Sequence, residues 1–324
     1  MRASLRARAC GLRASVEREL GRRLAGTRDR AVRLLSEAAV LRPIVRHLWC
    51  DYSIHRPLTL ELRGRTTCAF SHFDRDGLID AHVVYHLAAL KAAGVSVIFV
   101  STATLLAASE IAKVYDLCAA IVQRENRGLD FGSWRTALLL YPQIMDSDLL
   151  ILANDSVYGP MRDVRALLER MASGGSDFWA ITESLQMQPH YQSYFLGFQR
   201  TALRSRALRR FFDDIALLDD KEAIIMRYEV AMRRQLDEAG LRGDVLIPAA
   251  ATQSSAENPT LHRWRDLLVE GSPYLKVQLL RENPHRQAIG DWPQVVRAHG
   301  LDPDLVQRHL DRTAAALTPA PSGR

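Results

Sequence analysis

The feature that most constrains this chain is the alternation of short apolar runs with helix-like stretches between residues 66 and 155. "TTCAFSHF", "VSVIFVST", "AAIVQREN" and "DLLILAND" are each brief and rich in β-branched, aromatic or leucine residues. Between them, "DAHVVYHLAALKAAG", "LLAASEIAKVYDLC" and "SWRTALLLYPQ" carry apolar residues at helical spacing. Strands without polar alternation are buried on both faces, which predicts a mostly parallel sheet with helices on each side. The expected fold class is therefore α/β and Rossmann-like. Ligands on such sheets sit beyond the carboxyl ends of the strands. The polar residues gather there: His72 and Asp74, Ser101 and Thr102, Glu125 and Asn126, Asn154 and Asp155.

Length and charge narrow the reading further. At 324 residues the chain is long enough for one large α/β domain with appendages. Residues 1–60 are expected to form a basic helical segment, 61–290 the main domain, and 291–324 a C-terminal helix with a disordered tail. The net charge of +6 is concentrated at the start, where Arg2, Arg6, Arg8, Arg13, Arg18, Arg22 and Arg23 crowd together. Such a segment favours an anionic neighbour, and peripheral association with a membrane is the expectation. No nucleic-acid recognition motif accompanies it, so no nucleic-acid partner is expected. No apolar run is long enough to span a bilayer, and the N-terminus lacks a secretory h-region. Cys10, Cys50, Cys68 and Cys118 form no CxxC and fit reduced thiols. The expected location is the cytoplasm, at the inner face of the membrane.

Beyond Pro160, "FWAITES", "YQSYFLGFQR" and "GDVLIP" read as strands. "LRRFFDDI", "EAIIMRYEVAMRRQLDEAG", "LHRWRDLLVEG" and "SPYLKVQLLREN" read as helices.

Two chemistries compete for the strand-end carboxylates. "HFDRDGLID" resembles the first motif of haloacid-dehalogenase-like phosphatases, with Asp74 as nucleophile and Asp76 as acid. Departures count against it: Leu78 and Asn154 replace the usual residues, and no acidic residue follows Asp155 before Asp163. The second chemistry is sugar transfer from a nucleotide donor. "VQRENRGLDFGSWRTALLLYPQIMDSDLLILANDS" looks like the donor half of a GT-A glycosyltransferase, where an Asn-x-Gly turn precedes a crossover helix and an apolar strand delivers a short acidic motif. "RENRGLDFGSW", "NDSVYGP", "HYQSYFLGF" and "SPYLKVQLLRENP" together resemble the rhamnan synthesis protein F family, glycosyltransferases of bacterial surface-polysaccharide assembly. The resemblance spans about residues 66 to 290. It implies a GT-A-like fold, a nucleotide-sugar donor, a glycan or lipid-linked glycan acceptor, and a rhamnose-containing product such as O-antigen.

Under that resemblance Asp155 holds a divalent metal (Mg²⁺ or Mn²⁺) on the diphosphate. The bland alternative is a helix N-cap. Asp74, Asp76, Asn126, Gly128, Asp130 and Asn154 would bind the nucleotide sugar. Gly128 and Gly132 would give its backbone room. The alternatives are an Asx-turn for Asp74 and an N-cap for Asp130. Lys276 and Arg281 would supply positive charge, unless they are a solvated helix face. Glu229 is the expected catalytic base, with Glu183 in reserve; otherwise Glu229 is an exposed helix residue paired with Arg233. An exposed run of His190, Tyr191 and Gln192 would line the acceptor groove, with Tyr194, Phe195 and Phe198 as core alternatives. A non-catalytic, glycan-holding relative remains the third reading.

Overall fold

The computed structural model describes residues 46–47, 50–249, 254 and 257–315. Most of the basic segment, including the helix expected over 31–49 apart from residues 46–47, and the tail after residue 315 lie outside the described residues. Thirteen strands occur among those described. Two-residue strands β1 (Arg46–His47) and β11 (Leu217–Leu218) pair with each other. The main sheet is built from β2 (Tyr52–Arg56), β3 (Thr66–His72), β4 (Ser96–Ser101), β5 (Ala120–Arg124), β6 (Leu149–Asn154), β8 (Phe178–Ser184), β10 (Phe195–Gln199) and β12 (Gly243–Ile247). Its order is β12-β8-β10-β6-β3-β4-β5-β2, with β9 (His190–Tyr191) attached to β8. The short β7 (Val157–Tyr158) pairs with β13 (Leu275–Lys276) outside this sheet.

Strands β12, β8, β6, β3, β4 and β5 all run in one direction, whereas β10 and β2 oppose them. The expected α/β architecture with a mostly parallel sheet is thus present. Side-chain alternation along buried strands divides the core into two layers. Ala69, Ile98, Val100, Val122, Leu150 and Leu152 face the helix Leu129–Leu140 through Phe131, Trp134 and Ala137. Cys68, Phe70, Val97, Phe99, Ile151 and Ala153 face the helix Ala81–Ala92 through Val83, Leu87 and Leu90. Each such aliphatic or aromatic side chain contributes about 1.5–3 kcal/mol on burial. Cys50, Cys68 and Cys118 are buried free thiols, as expected from their spacing. No helix among the described residues is long and apolar enough to cross a membrane.

Two expectations need correction. Residues 52–56, assigned to a helical N-terminal segment, form β2 instead, antiparallel to β5. "YSIHR" has β-branched and aromatic character, and the unpaired edge of β5 offers it a full hydrogen-bond ladder. The segment "SPYLKVQLLREN" begins as strand rather than helix. Leu275 and Lys276 pair with Tyr158 and Val157, and only Val277–Arg281 is helical. A third apolar cluster explains this departure. Tyr158, Leu261, Trp264, Leu275, Leu279, Trp292, Val296 and Val306 pack together, drawing the helices Trp292–Ala298 and Pro303–Ala315 against the β7 corner.

Candidate active site

Register sets the rim of the sheet. Ser71 lies opposite Asn154 between β3 and β6, and His72 opposite Ser101 between β3 and β4. The polar strand ends identified in the sequence therefore lie level at one edge. Beyond them is a cleft of about 660 Å³. Asp74, Asp76, Asp130, Asn154, Asp155, Gln192, Glu229, Lys276 and Arg281 all line it, although they come from stretches spread over two hundred residues.

The turn after β6 is held by its own side chains. Asn154 is buried; its Oδ1 accepts from the Ser156 amide at 3.1 Å and from Ser156 Oγ at 2.5 Å. Its Nδ2 donates to Asp130 Oδ2 at 2.9 Å. Asp155 Oδ2 accepts from the Phe73 amide at 2.7 Å, which ties β6 to the loop after β3. No helix starts at this point, so Asp155 is not a helix N-cap; the chain continues into β7. Burial pushes the Asp155 carboxyl up to about 8, against the Phe73 N–H bond that lowers it; the Asp130 and Asp74 charges raise it further. A cation bound beside this carboxyl would favour its ionised form and displace the proton to solvent.

Asp130 lies in the first turn of the helix Leu129–Leu140, whose N-cap is Gly128 at φ +76°. Asp130 is therefore not the cap. Burial raises its pKa, while hydrogen bonds from Ser71 and Asn154 and the charge of Lys276 oppose the shift. The glycines of this turn pack closely against the protein's own atoms. A Cβ on Gly132 would stand 2.3 Å from the Arg127 carbonyl, and one on Gly128 3.2 Å from Leu217 Cα. The buried Arg124 guanidinium donates to that same Arg127 carbonyl and folds "RENRG" around itself. Asn126 projects away from the cleft, into a separate cavity of about 480 Å³ lined also by Tyr52, Thr102 and Gln123.

Lys276 reaches the site through the β7–β13 pairing. Its Nζ donates to Ser156 Oγ at 2.9 Å. Burial lowers its pKa, and the Glu229, Asp130 and Asp155 charges counter this. It is not part of a solvated helix face. Arg281 borders the cleft from an exposed position, paired with Glu282.

Glu229 does not open a helix. It sits in a π-helical turn, Ile225–Val230, between Lys221–Ile224 and Ala231–Glu238. Such insertions re-aim side chains and recur at functional sites. Here Glu229 turns to the cleft, where its Oε1 accepts from the Ser193 amide at 3.1 Å. The expected i+4 partner Arg233 instead pairs with Glu183 and Asp237. Glu183 is taken up by Arg233 and by the Ala249 amide at 3.0 Å, outside the cleft. The His190–Gln192 run is buried rather than exposed. His190 bonds the Gln188 carbonyl, and Arg233 lies over the Tyr191 ring. Gln192 alone of the three borders the cleft, braced by Thr182 and Asn258.

Asp74 makes the Asx-turn: its Oδ1 accepts from the amides of Asp76 and Leu78 at 2.9 and 3.0 Å. Its Oδ2 accepts from Arg312. Burial alone would raise its pKa, but these bonds hold it below the usual carboxylate range. A carboxylate engaged at both oxygens makes a poor nucleophile, which disfavours phosphatase chemistry at this position.

Among the cleft residues that sequence reasoning passed over, four meet on one wall. Asp80 and His82 come from the start of the helix Ala81–Ala92; His309 and Arg312 come from the helix Pro303–Ala315. Arg312 bridges Asp74, Asp76 and Asp80. The i, i+3 spacing of His309 and Arg312 places both on one helix face, but their meeting with Asp80 depends on docking across 232 positions.

An acidic corner, a lysine and a re-aimed glutamate thus meet over a large cleft at the sheet rim of an α/β protein. The chain matches the family model of Rhamnan synthesis protein F over residues 97–319, and it belongs to that family. It is 31% identical over 205 residues to Virulence protein VirA of Vibrio anguillarum, covering 52% of this chain and 66% of the relative. It is 26% identical over 169 residues to the uncharacterized protein y4gN of Sinorhizobium fredii, covering 51% and 44%. The chain thus spans under two thirds of the length of these curated relatives. Among solved structures, a mannosyltransferase from Pyrobaculum calidifontis in complex with GDP-Man and Mn²⁺ aligns over 92% of this chain and 86% of its own, at 14% identity and TM-score 0.40. A cytidylyltransferase from Leptospira borgpetersenii aligns over 81% and 100%, at 7% identity and TM-score 0.36. At these scores the likeness says nothing of the site.

Proposed function

We propose that the protein is a glycosyltransferase that moves a sugar from a nucleotide-sugar donor to a growing surface polysaccharide or lipid-linked glycan, in the cleft at the sheet's carboxyl edge. The observation that carries this reading is Asp155, at a rigid strand end, facing that cleft beside Asp130 and Lys276. Membership of the rhamnan synthesis family supports rhamnose as the sugar and a cell-envelope glycan as the product.

The chemistry follows from charge. The leaving group is a nucleoside diphosphate, and the negative charge it develops must be met by fixed positive groups. Lys276, steadied by Ser156, borders the cleft beyond β6, where it can donate to a phosphate oxygen. Arg281 and Lys221 border the same space. Asp155 retains lone pairs beyond the Phe73 bond, and oxygen donors of this type suit Mg²⁺ or Mn²⁺. Asp155 would hold such an ion, which would neutralise charge on the diphosphate. Asp130 bonds the donor's hydroxyls, and Asn154 keeps Asp130 and Ser156 in place. Glu229 faces the cleft from the other side, anchored through Ser193. In a single displacement it accepts the acceptor hydroxyl's proton as that oxygen attacks the anomeric carbon and the bond to diphosphate breaks. Gln192, immobilised by its neighbours, orients acceptor hydroxyls. The basic N-terminal segment would keep the enzyme at an anionic membrane surface in the cytoplasm.

The test is Asp155→Ala with a panel of nucleotide sugars, with and without Mn²⁺. Transfer should fall by roughly a hundredfold or more, as for loss of an electrostatic group at a leaving phosphate, while the folded chain persists by circular dichroism. Unchanged transfer would remove the proposed role of Asp155. Absence of any nucleotide binding by the wild-type chain would favour the non-catalytic glycan-holding reading.

A further inference from the structure

The cleft that is read as an anion site carries too little positive charge of its own. Among its described lining residues are seven carboxylates (Asp74, Asp76, Asp80, Asp130, Asp155, Glu229 and Glu282) against five lysines and arginines. With carboxyl groups outnumbering cations, a metal ion in the same space would favour a diphosphate there.

One wall of the cleft has the side chains for such a cation, apart from Asp155. Asp80, His82 and His309 each offer one ligand atom, and these atoms lie within 4.8 Å of one another. Both imidazoles are buried, His82 at 4% and His309 at 7% exposure. His82 Nδ1 has no hydrogen-bond partner. A buried ring nitrogen left unbonded costs about 1–3 kcal/mol, so its persistence calls for a ligand. On His309, Nδ1 bonds the Tyr158 hydroxyl at 2.7 Å, and Nε2 faces Asp80 Oδ2 at 3.7 Å. That gap is long for a hydrogen bond but suits two atoms sharing one ion at about 2.0–2.2 Å each. Metal-binding histidines characteristically anchor their second nitrogen on a main-chain or hydroxyl group, and His309 does so through Tyr158.

We propose that Asp80, His82 and His309 bind one divalent transition-metal ion of borderline character, such as Zn²⁺ or Co²⁺, with its open positions facing the cleft. Two imidazoles and a carboxylate form the donor set for such ions and exclude Ca²⁺ and Mg²⁺ as preferred occupants. Arg312 donates to both Asp80 oxygens, through Nε to Oδ1 at 2.9 Å and through a terminal nitrogen to Oδ2, and shares its charge with Asp74 and Asp76; each carboxylate oxygen keeps a second lone pair for an ion. Arg312 thereby orients the Asp80 ligand. The ion would join the helix Ala81–Ala92 to the helix Pro303–Ala315 and supply the positive charge the cleft lacks. Its role toward an anionic ligand rests on the glycosyltransferase reading; its binding does not.

The experiment loads the full-length wild-type chain with Zn²⁺ or Co²⁺ and reads stoichiometry by elemental analysis and ligation by X-ray absorption. One ion per chain with imidazole scattering from two rings is expected. No bound ion, or an ion without imidazole scattering, overturns the proposal, and neither readout needs a variant to fold. His82→Ala and His309→Ala, compared only when circular dichroism shows a folded chain, should each weaken Co²⁺ binding by more than about 100-fold. Unchanged affinity in both also overturns it. Asp155→Asn should keep the ion while losing nucleotide-sugar binding. Loss of the ion in that variant places it on Asp155 instead, which defeats this proposal and leaves the glycosyltransferase reading standing.

Discussion

Lys276 Nζ lies 2.9 Å from Ser156 Oγ across 120 positions of sequence. The antiparallel pairing of β13 with β7 makes this contact, reinforced by the Val277 amide donating to the Ser156 carbonyl at 2.9 Å. A cation is thus fixed beside the acidic corner by main-chain hydrogen bonds, with little freedom left to its stem. Preorganised charge of this kind contributes more to a developing anion than a mobile surface lysine.

Lys276→Met tests that arrangement. The methionine keeps most of the buried volume and removes the charge. Nucleotide-sugar affinity should fall roughly tenfold to a hundredfold, the worth of about 1.5–3 kcal/mol for a charged hydrogen bond. Calorimetric titration checks it. Unaltered affinity would mean that the lysine serves only the Ser156 turn.

Glu229 and Glu183 separate by the same logic. Glu229→Gln keeps the acceptor for the Ser193 amide but abolishes proton uptake, so kcat should fall by about 10²–10⁴ with donor affinity nearly unchanged. Glu183→Gln should do the reverse. It breaks the ion pair with Arg233, whose guanidinium also covers the Tyr191 ring, and should cost about 1–3 kcal/mol of stability with kcat intact. Steady-state kinetics beside urea unfolding of both variants distinguishes the two roles. A kcat loss confined to Glu183→Gln would exchange them.

These residues also show what the sequence could and could not convey. The apolar runs at 66–72, 96–101, 120–124 and 149–154 announced a buried sheet because each is short, lacks regular polar alternation and ends on polar residues. The rim residues Asn154 and Asp155 were legible because they follow directly from such a run. Glu229 was found by its place before a helix and strand, but its direction was not. A π-helical insertion rotates every following side chain, and no local residue marks it. The burial of His190 and Tyr191 was hidden for a different reason. A polar-aromatic run reads as surface until Arg233 and the Gln188 carbonyl supply partners from elsewhere. Asp80, His82 and His309 were invisible because their proximity is purely tertiary. Residues 52–56 became a strand because an open sheet edge outweighs the helical character of what precedes them.

His86 predicts acid sensitivity. It is buried, and burial lowers its pKa to about 3; its Nε2 lies 3.0 Å from the Tyr274 hydroxyl. In the unfolded chain the same ring titrates near 6.5. Between about pH 6.5 and 3 the unfolded state therefore holds a proton that the folded state refuses. Stability should fall with decreasing pH across that window, by about 1.4 kcal/mol per pH unit from this residue once the unfolded ring is protonated. His86→Phe, which preserves the stacking against Phe195, should reduce the slope by one proton while leaving other buried histidines to act. Denaturant titrations of both proteins from pH 7 to 4.5 measure it. Parallel slopes would show that His86 is not the neutral buried group described.

Gly197 in β10 tests the sheet itself. It stands opposite Trp179 of β8, and a Cβ there would lie 2.1 Å from the indole ring. Glycine lets the fully buried indole lie over the strand backbone, an arrangement that any side chain would displace. Because β10 bridges β8 to β6, a shifted Trp179 would disturb the ladder next to the Asn154 end of the cleft. Gly197→Ala should cost about 1–3 kcal/mol through overpacking, despite alanine's lower conformational entropy in the unfolded chain. Pairing it with Trp179→Phe, which removes the second ring, should recover part of that loss. Thermal unfolding of the single and double variants checks the coupling; a double variant no more stable than the sum of the two losses would separate Gly197 from the indole.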